Sequence, residues 1–246
     1  MPAARRHANA IEILHEDGEL IAVNKPAGVL SVPGRAGEPG LIQVLRDARV
    51  VHRDDVLRMV HRLDRDASGV IVLACTLEAQ RHLVEQFRTR RVEKVYVALV
   101  RGFVPSDGVI DMPIAVDRNR MTARVGGPGA KPAVTRYRVV QRVAGHTLLE
   151  CHPVTGRMHQ IRLHLAGIGH PLAVDPVYAG GEALWLSRHK PDYRPNRSGS
   201  ERPLIARLSL HALSLTVEHP TGSGRITMEA PMPKDLRAAL RQLARL

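Results

Sequence analysis

The run Val70-Ile71-Val72-Leu73-Ala74 constrains this chain most, because it reads as a buried strand. The segment leading into it is His61-Arg62-Leu63-Asp64-Arg65-Asp66-Ala67-Ser68-Gly69. It puts a carboxylate, Asp64, between two arginines at the mouth of that strand. Taken alone, such a cluster reads as a solvated salt-bridge loop, since isolated charge clusters usually face water. The rest of the chain changes that weighting.

With 246 residues, 44% of them apolar and 24% charged, the chain is globular and long enough to bury a sizeable core. The length suits one large domain or two small ones. No apolar run approaches the ~20 residues of a membrane-spanning helix. Residues 1–10 lack the apolar core of a secretory signal. The two cysteines, Cys75 and Cys151, sit in apolar strand-like settings, so a disulfide framework is not expected and a reducing cytoplasm fits. The net charge of +12 points to a polyanionic partner. The excess is local: residues 117–142 hold seven Arg or Lys against Asp117, and residues 81–101 hold six against Glu85 and Glu93. No basic helix carries a broad apolar face, which disfavours a membrane surface. Aromatics are only 3%, too few for a base-stacking platform, so folded RNA held by charge and shape is the expected partner.

Apolar periodicity predicts strands at residues 12–14, 20–23, 70–75, 92–100, 134–140, 147–151 and 208–218. It predicts helices at 41–49, after the N-cap Thr76, at 157–166 and at 233–246. Residues 31–40, 112–129 and 184–203 read as loops. Strands outnumber helices and come partly in adjacent pairs. The predicted class is therefore α+β, with a mostly antiparallel mixed sheet flanked by helices and basic loops.

Along residues 92–99 a period of two puts Val95, Val97 and Leu99 on one face, and Lys94 and Tyr96 on the other. In isolation this is an ordinary half-exposed strand. The stretch Pro153-Val154-Thr155-Gly156-Arg157-Met158-His159-Gln160-Ile161-Arg162 opens a helix whose apolar face includes Arg162. A guanidinium there needs a buried anion, and Asp64 is the candidate. His159, His164 and His170 lack the companions of a metal site, so no metal is expected. Neither a phosphate-binding P-loop, a dinucleotide fingerprint nor a nucleophile elbow is present, so no nucleotide cofactor is expected.

Several blocks share one order along the chain: Asn24-Lys25-Pro26-Ala27-Gly28, His61-Arg62-Leu63-Asp64 with Ser68-Gly69, and Lys94-x-Tyr96. After them come Thr155-Gly156-Arg157-x-His159-Gln160-Ile161-Arg162, Gly169-His170-Pro171, Asp175-x-x-Tyr178 and Leu210-His211-Ala212. Together they resemble the RluA-type pseudouridine synthases. Ala67 stands where that family usually has Thr, and Met158 where it usually has Thr or Ser. Both departures bear on loop geometry.

The resemblance implies the pseudouridine synthase fold and isomerisation of uridine to pseudouridine in structured RNA, without a cofactor. It implies that Asp64 is the catalytic carboxylate, acting as nucleophile at C1′ or C6 or as base in a glycal route. It implies that Tyr96 stacks on the flipped base and helps remove the C5 proton, that Arg162 keeps the carboxylate ionised, and that Arg62 fills the vacated stack. His61, Lys94, Arg157, His159, Arg118, Arg120 and Arg124 are the further expected RNA contacts. Too few residues precede Lys25 for the S4-type domain of many relatives, so a single catalytic domain spanning 1–246, acting as a monomer, is expected. The segment Leu30-Ser31-Val32-Pro33-Gly34-Arg35 resembles the subgroup typified by ribosomal large subunit pseudouridine synthase A. That subgroup implies large-subunit ribosomal RNA and tRNA anticodon stem-loops as substrates. The competing readings are another RNA-modifying or glycosyl-bond enzyme and an inactive RNA-binding or ribosome-assembly module. Basic charge alone supports the inactive module equally well. The set Asp64, Tyr96 and Arg162 argues for catalysis, because mere binding has no use for an acid among arginines.

Overall fold

The computed structural model describes residues 11–51, 56–117, 122–178, 181–194 and 199–246. The chain forms two compact units, Met1–Lys94 with Ala212–Pro231, and Val95–His211 with Met232–Leu246.

In the first unit, β1 (Glu12–Glu16) and β2 (Leu20–Lys25) form a hairpin, and β2 pairs with β4 (Ser68–Ala74). The two-residue strand β3 (Arg58–Met59) also lies against β4. The run that reads as a buried strand is one: every residue of β4 is buried. Helix α1 (Leu41–Asp47) follows the Pro/Gly-rich loop, and α2 (Leu77–Arg88) follows β4. Thr76 caps α2 as expected, its hydroxyl oxygen accepting from the Ala79 N–H at 3.0 Å. β11 (Leu210–Glu218) pairs with β12 (Arg225–Glu229). Ala79 and Leu83 of α2 pack onto Leu20, Ala22, Val70, Val72, Leu215 and Val217, which makes one core beneath the sheet. The buried Gln86 side chain exchanges two 2.8 Å hydrogen bonds with the Glu218 backbone, tying α2 to the end of β11.

The chain enters the second unit within β5 (Glu93–Arg101). β5 pairs with β10 (His146–Pro153), β10 with β9 (Val134–Val143), and β9 with β6 (Gly108–Asp111). Helix α3 (Gln160–Gly167) follows β10, and α4 (Lys234–Leu243) closes the chain. Asp235 of α4 forms a bidentate ion pair with Arg207, with bonds of 2.6 and 2.8 Å.

All pairings given above are antiparallel, and isolated parallel bridges occur at Leu30–Gly40 and Val174–Gly181. The class is α+β, as the sequence predicts. One expectation fails: residues 112–129 are not simply a loop. They contain the hairpin β7 (Ile114–Asp117) and β8 (Thr122–Val125). Its strands of four residues are too short to show a period, and their inward residues Ile114 and Ala123 find their core only against Ala133 and Leu163.

Candidate active site

In the first unit the backbone of the segment from His61 to Gly69 is held at several points. Lys25, fully buried, donates from Nζ to the carbonyls of Pro26 (3.0 Å), Val29 (2.8 Å) and Arg65 (2.9 Å). The Gly28 N–H joins it on the Arg65 carbonyl at 2.9 Å. One residue before Asp64, the buried Ser31 hydroxyl clamps Leu63 from both sides. It donates to the Leu63 carbonyl at 2.8 Å and accepts the Leu63 N–H at 3.0 Å. The residues on either side of Asp64 are thus pinned, while Asp64 itself is half-buried between the exposed Arg62 and Arg65. Ala67, at the first departure from the family pattern, is buried, and its N–H donates to the Asp64 carbonyl at 3.3 Å. Gly69 has φ +115°, and a Cβ there would overlap the Ala212 backbone, so only glycine fits where the segment enters β4.

His61 is half-buried and stacked on Phe87, with centroids 4.7 Å apart. Its Nε2 accepts the Val72 N–H at 2.9 Å, which requires a neutral ring. Burial, helped by the Lys94 charge, pushes its pKa down to about 3. Lys94 is half-buried as well, and burial together with Arg90 pushes its ammonium down to about 8.

In the second unit a buried polar network sets the start of α3. Gln160 Nε2 donates to the Val134 carbonyl (2.9 Å) and to Thr135 Oγ1 (3.0 Å). Gln160 Oε1 accepts from Thr155 Oγ1 (2.6 Å) and the Arg157 N–H (3.0 Å). His164 Nε2 lies 3.0 Å from the Met112 carbonyl and must donate to it, so Nδ1 accepts the Thr135 hydroxyl at 2.9 Å. Burial pushes this imidazole down, consistent with the neutral form. The helix begins at Gln160, three residues later than the sequence predicts. The Gln160 side chain folds residues 155–160 into a turn, and His159 takes the left-handed conformation at φ +54°. Met158, the second departure, lies before the helix and packs against the cluster of Ile114, Ala123, Ala133 and Leu163.

Arg162 is buried. Its Nε and Nη2 donate to the two carboxylate oxygens of Asp175, each at 2.8 Å, and its guanidinium carbon lies 4.9 Å from the Tyr178 ring centre. The sequence reading set Asp64 as the anion for Arg162, and the structure adds Asp175 as a bidentate partner. Asp175 Oδ1 also accepts the N–H groups of Val177 (3.0 Å) and Tyr178 (3.2 Å). Burial pushes this carboxyl up, but the Arg162 bonds and charge, with the two N–H donors, outweigh it and hold it low. The Tyr178 hydroxyl donates to the Ala123 carbonyl at 3.2 Å and lies 2.8 Å from His159 Nδ1, so His159 is the donor to it. One chain of contacts thus joins Arg162, Asp175, Tyr178, His159 and the β7–β8 hairpin.

Tyr96 is half-buried and opposite Cys151, which is opposite Tyr137 on the far side, so the three share one face. Arg157 is half-buried, and its Nε donates to the Pro132 carbonyl at 3.2 Å. Arg124 is exposed on β8, while Arg118 and Arg120 lie outside the described residues. The structure therefore gathers His61, Arg62, Asp64 and Lys94 in the first unit, and Tyr96, Arg124, Arg157, His159 and Arg162 in the second. Among the described residues, no group of three or more His, Cys, Asp or Glu is placed to hold a metal ion.

A sequence profile described as RNA pseudouridylate synthase matches residues 19–167, more than half of the chain. The chain belongs to this family. It is 40% identical over 241 residues to the ribosomal large subunit pseudouridine synthase D of Nitrosomonas europaea, and 38% identical over 233 residues to that of Neisseria meningitidis serogroup B. These matches take in 96% and 92% of the chain but only 66% and 59% of those relatives, so it spans about two thirds of their length or less. It is 38% identical to the dual-specificity RNA pseudouridine synthase RluA of Escherichia coli, covering 89% of the chain and 92% of that protein. Among solved structures, human RNA pseudouridylate synthase domain containing 4 superposes with a TM-score of 0.69 at 27% identity, over 98% of this chain and 95% of that one.

The sequence reading gave no roles to Lys25, Ser31, Gln160 or Asp175. Lys25 and Asp175 carried a signal, namely a charged residue beside an apolar run, Leu20-Ile21-Ala22-Val23 for one and Leu172-Ala173-Val174 for the other. Ser31 carried none.

Proposed function

We propose that this protein isomerises specific uridines to pseudouridine in structured RNA, large-subunit ribosomal RNA or a tRNA stem-loop, with its two units acting as one catalytic domain. The observation that carries the proposal is the pinned Asp64 segment, held at Leu63 by Ser31 and at Arg65 by Lys25, in a chain of the pseudouridylate synthase family. In the proposed reaction the C1′–N1 bond breaks, the uracil turns over, C5 bonds to C1′, and the C5 proton is lost while N1 gains one. Asp64 is the carboxylate that acts at C1′ or C6, or as base. Tyr96 stacks on the turned base and assists at C5. Arg162, with two donors fixed on Asp175, supplies a buried positive charge that favours an ionised carboxylate. Arg62, exposed beside Asp64, enters the stack that the base leaves.

His61 enters this reading as a positioning residue, because its ring is engaged with Phe87 and Val72. Lys94, Arg157, His159, Arg118, Arg120 and Arg124 are the proposed RNA contacts. The isomerisation is redox-neutral and balanced in atoms, so the proposal includes no cofactor. The proposed state is a cytoplasmic monomer; no described helix is long and apolar enough to cross a membrane.

The test is pseudouridine mapping of ribosomal RNA and tRNA incubated with the protein. Wild type is expected to create pseudouridine at discrete positions. Asp64→Asn is expected to create none while keeping RNA affinity within several-fold, since the amide is nearly isosteric but neither nucleophilic nor basic. Binding without modification by the wild type would favour the inactive RNA-binding module instead.

A further inference from the structure

One end of the sheet in the second unit gathers cations that the proposed reaction does not use. Arg101 closes β5 and His146 opens β10, and the two are direct antiparallel partners. Their side chains therefore leave the same face, with Cβ atoms about 4.5–5.5 Å apart. His189, just after the short 3-10 turn Leu186–Arg188, sets its ring edge-on to His146, with centroids 4.9 Å apart at 71°. It passes over the turn at Gly145, where an added Cβ would lie 3.8 Å from the His189 ring. The Arg101 guanidinium lies across Gly181, where an added Cβ would collide with Nη2. Backbone on both sides thus holds these three side chains together.

Their hydrogen-bonding capacity is largely unspent. Among the described residues, the Arg101 guanidinium makes one long bond, from Nη2 to the Ala173 carbonyl at 3.4 Å. A guanidinium has five N–H donors. His146 Nδ1 donates to the Ala144 carbonyl at 2.9 Å, and its Nε2 makes no hydrogen bond among the described residues. The His189 ring makes no hydrogen bond among the described residues. Burial holds His146 low, opposed by its bond to the Ala144 carbonyl and helped by His189 and Arg101; burial, then Arg188 and Arg101, hold His189 low. The nearby carboxylate Glu201 faces Arg188 and accepts the Ser187 N–H at 3.0 Å. Arg101 thus faces two imidazoles that burial and its own charge hold neutral. An anion between them would favour their protonated form.

We propose that Arg101, His146 and His189 form a binding site for a phosphate group, at the end of β5 away from Tyr96. A phosphate offers oxygen acceptors to the planar guanidinium, and its charge favours protonation of both imidazoles. Arg101 stands five residues along β5 from Tyr96, about 17 Å at ~3.4 Å per residue, too far to share a base with it. Whether the phosphate belongs to an RNA backbone rests on the RNA-modifying reading; its being bound at all does not.

The test is histidine NMR of the full chain titrated with inorganic phosphate at constant ionic strength, with chloride as control. His146 and His189 are expected to shift saturably in the millimolar range, with their titration midpoints raised. His164, whose two ring nitrogens are engaged inside the protein, serves as the still reference. Arg101→Gln is expected to abolish the response. Unmoved midpoints in the wild type, which need no variant to fold, would overturn the site, as would an equal response in Arg101→Gln. A second arm measures binding of a structured RNA against salt. A slope flattened by about 0.7 in Arg101→Gln, with turnover at saturating RNA unchanged, assigns the phosphate to the RNA backbone. An unaltered slope in Arg101→Gln, beside a phosphate response that the wild type shows and Arg101→Gln loses, assigns it to a free phosphate or a small phosphorylated ligand. Should the protein modify no RNA, the phosphate titration still decides the site.

Discussion

Arg162 and Asp175 are 7% and 1% exposed, and each is the other's bidentate partner. Removing one member of such a pair strands the other in a poorly solvated place, at a cost of about 3–5 kcal/mol. Asp175→Asn is therefore expected to lower the free energy of unfolding in urea by about that amount. The sign of the pH dependence follows from the carboxyl being held below its ordinary value. The pair's contribution is fully present above the unfolded pKa, about 3.9, and is lost as pH falls through the lower folded value. Wild type should thus lose stability relative to Asp175→Asn as pH drops below about 4. Parallel stability curves for the two proteins would remove the ion pair from the account.

At the scale of elements, α3 shows what was legible in the sequence and what was not. Its existence follows from the apolar period, and so do β4, α2 and α4. Its start was misplaced because Gln160 reads as an ordinary helix former, while its side chain in fact links Thr155, Val134 and Thr135. Those bonds join residues up to 26 apart, and no local pattern encodes them. The same holds for β7 and β8, whose core partners Ala133 and Leu163 lie outside the hairpin. The Asp64 segment was legible as chemistry, but the Lys25 and Ser31 contacts that hold it were not. They are made to carbonyls and an N–H, which every residue possesses. The network also predicts a cost. Thr135→Val removes the hydroxyl between Gln160 and His164, leaving buried donors and acceptors unmet at about 1–3 kcal/mol. Thermal unfolding should show the loss, and a Thr135→Ser variant, which keeps the hydroxyl, should recover most of it.

For the molecule as a whole, the net charge of +12 sets how RNA is held. If about five phosphates are neutralised, log affinity should fall with log salt at a slope of roughly −3 to −4. Neutralising Arg118, Arg120 and Arg124 together should flatten the slope by about two and weaken binding to different RNAs alike, since phosphate contacts carry little sequence information. An unchanged slope would move the footprint to the basic stretch 81–101 or to residues 184–203.

Lys25 is one of five lysines, and its amine is fully buried beneath three carbonyls, one of them from Arg65. Its chemical reactivity therefore clocks the opening of the segment that carries Asp64. An amine-acylating reagent, read by peptide mass spectrometry, should modify Lys131, Lys190 and Lys234 quickly and Lys25 only as fast as that segment lifts. If RNA braces the segment, it should slow Lys25 further, giving a measure of loop closure that needs no turnover at all.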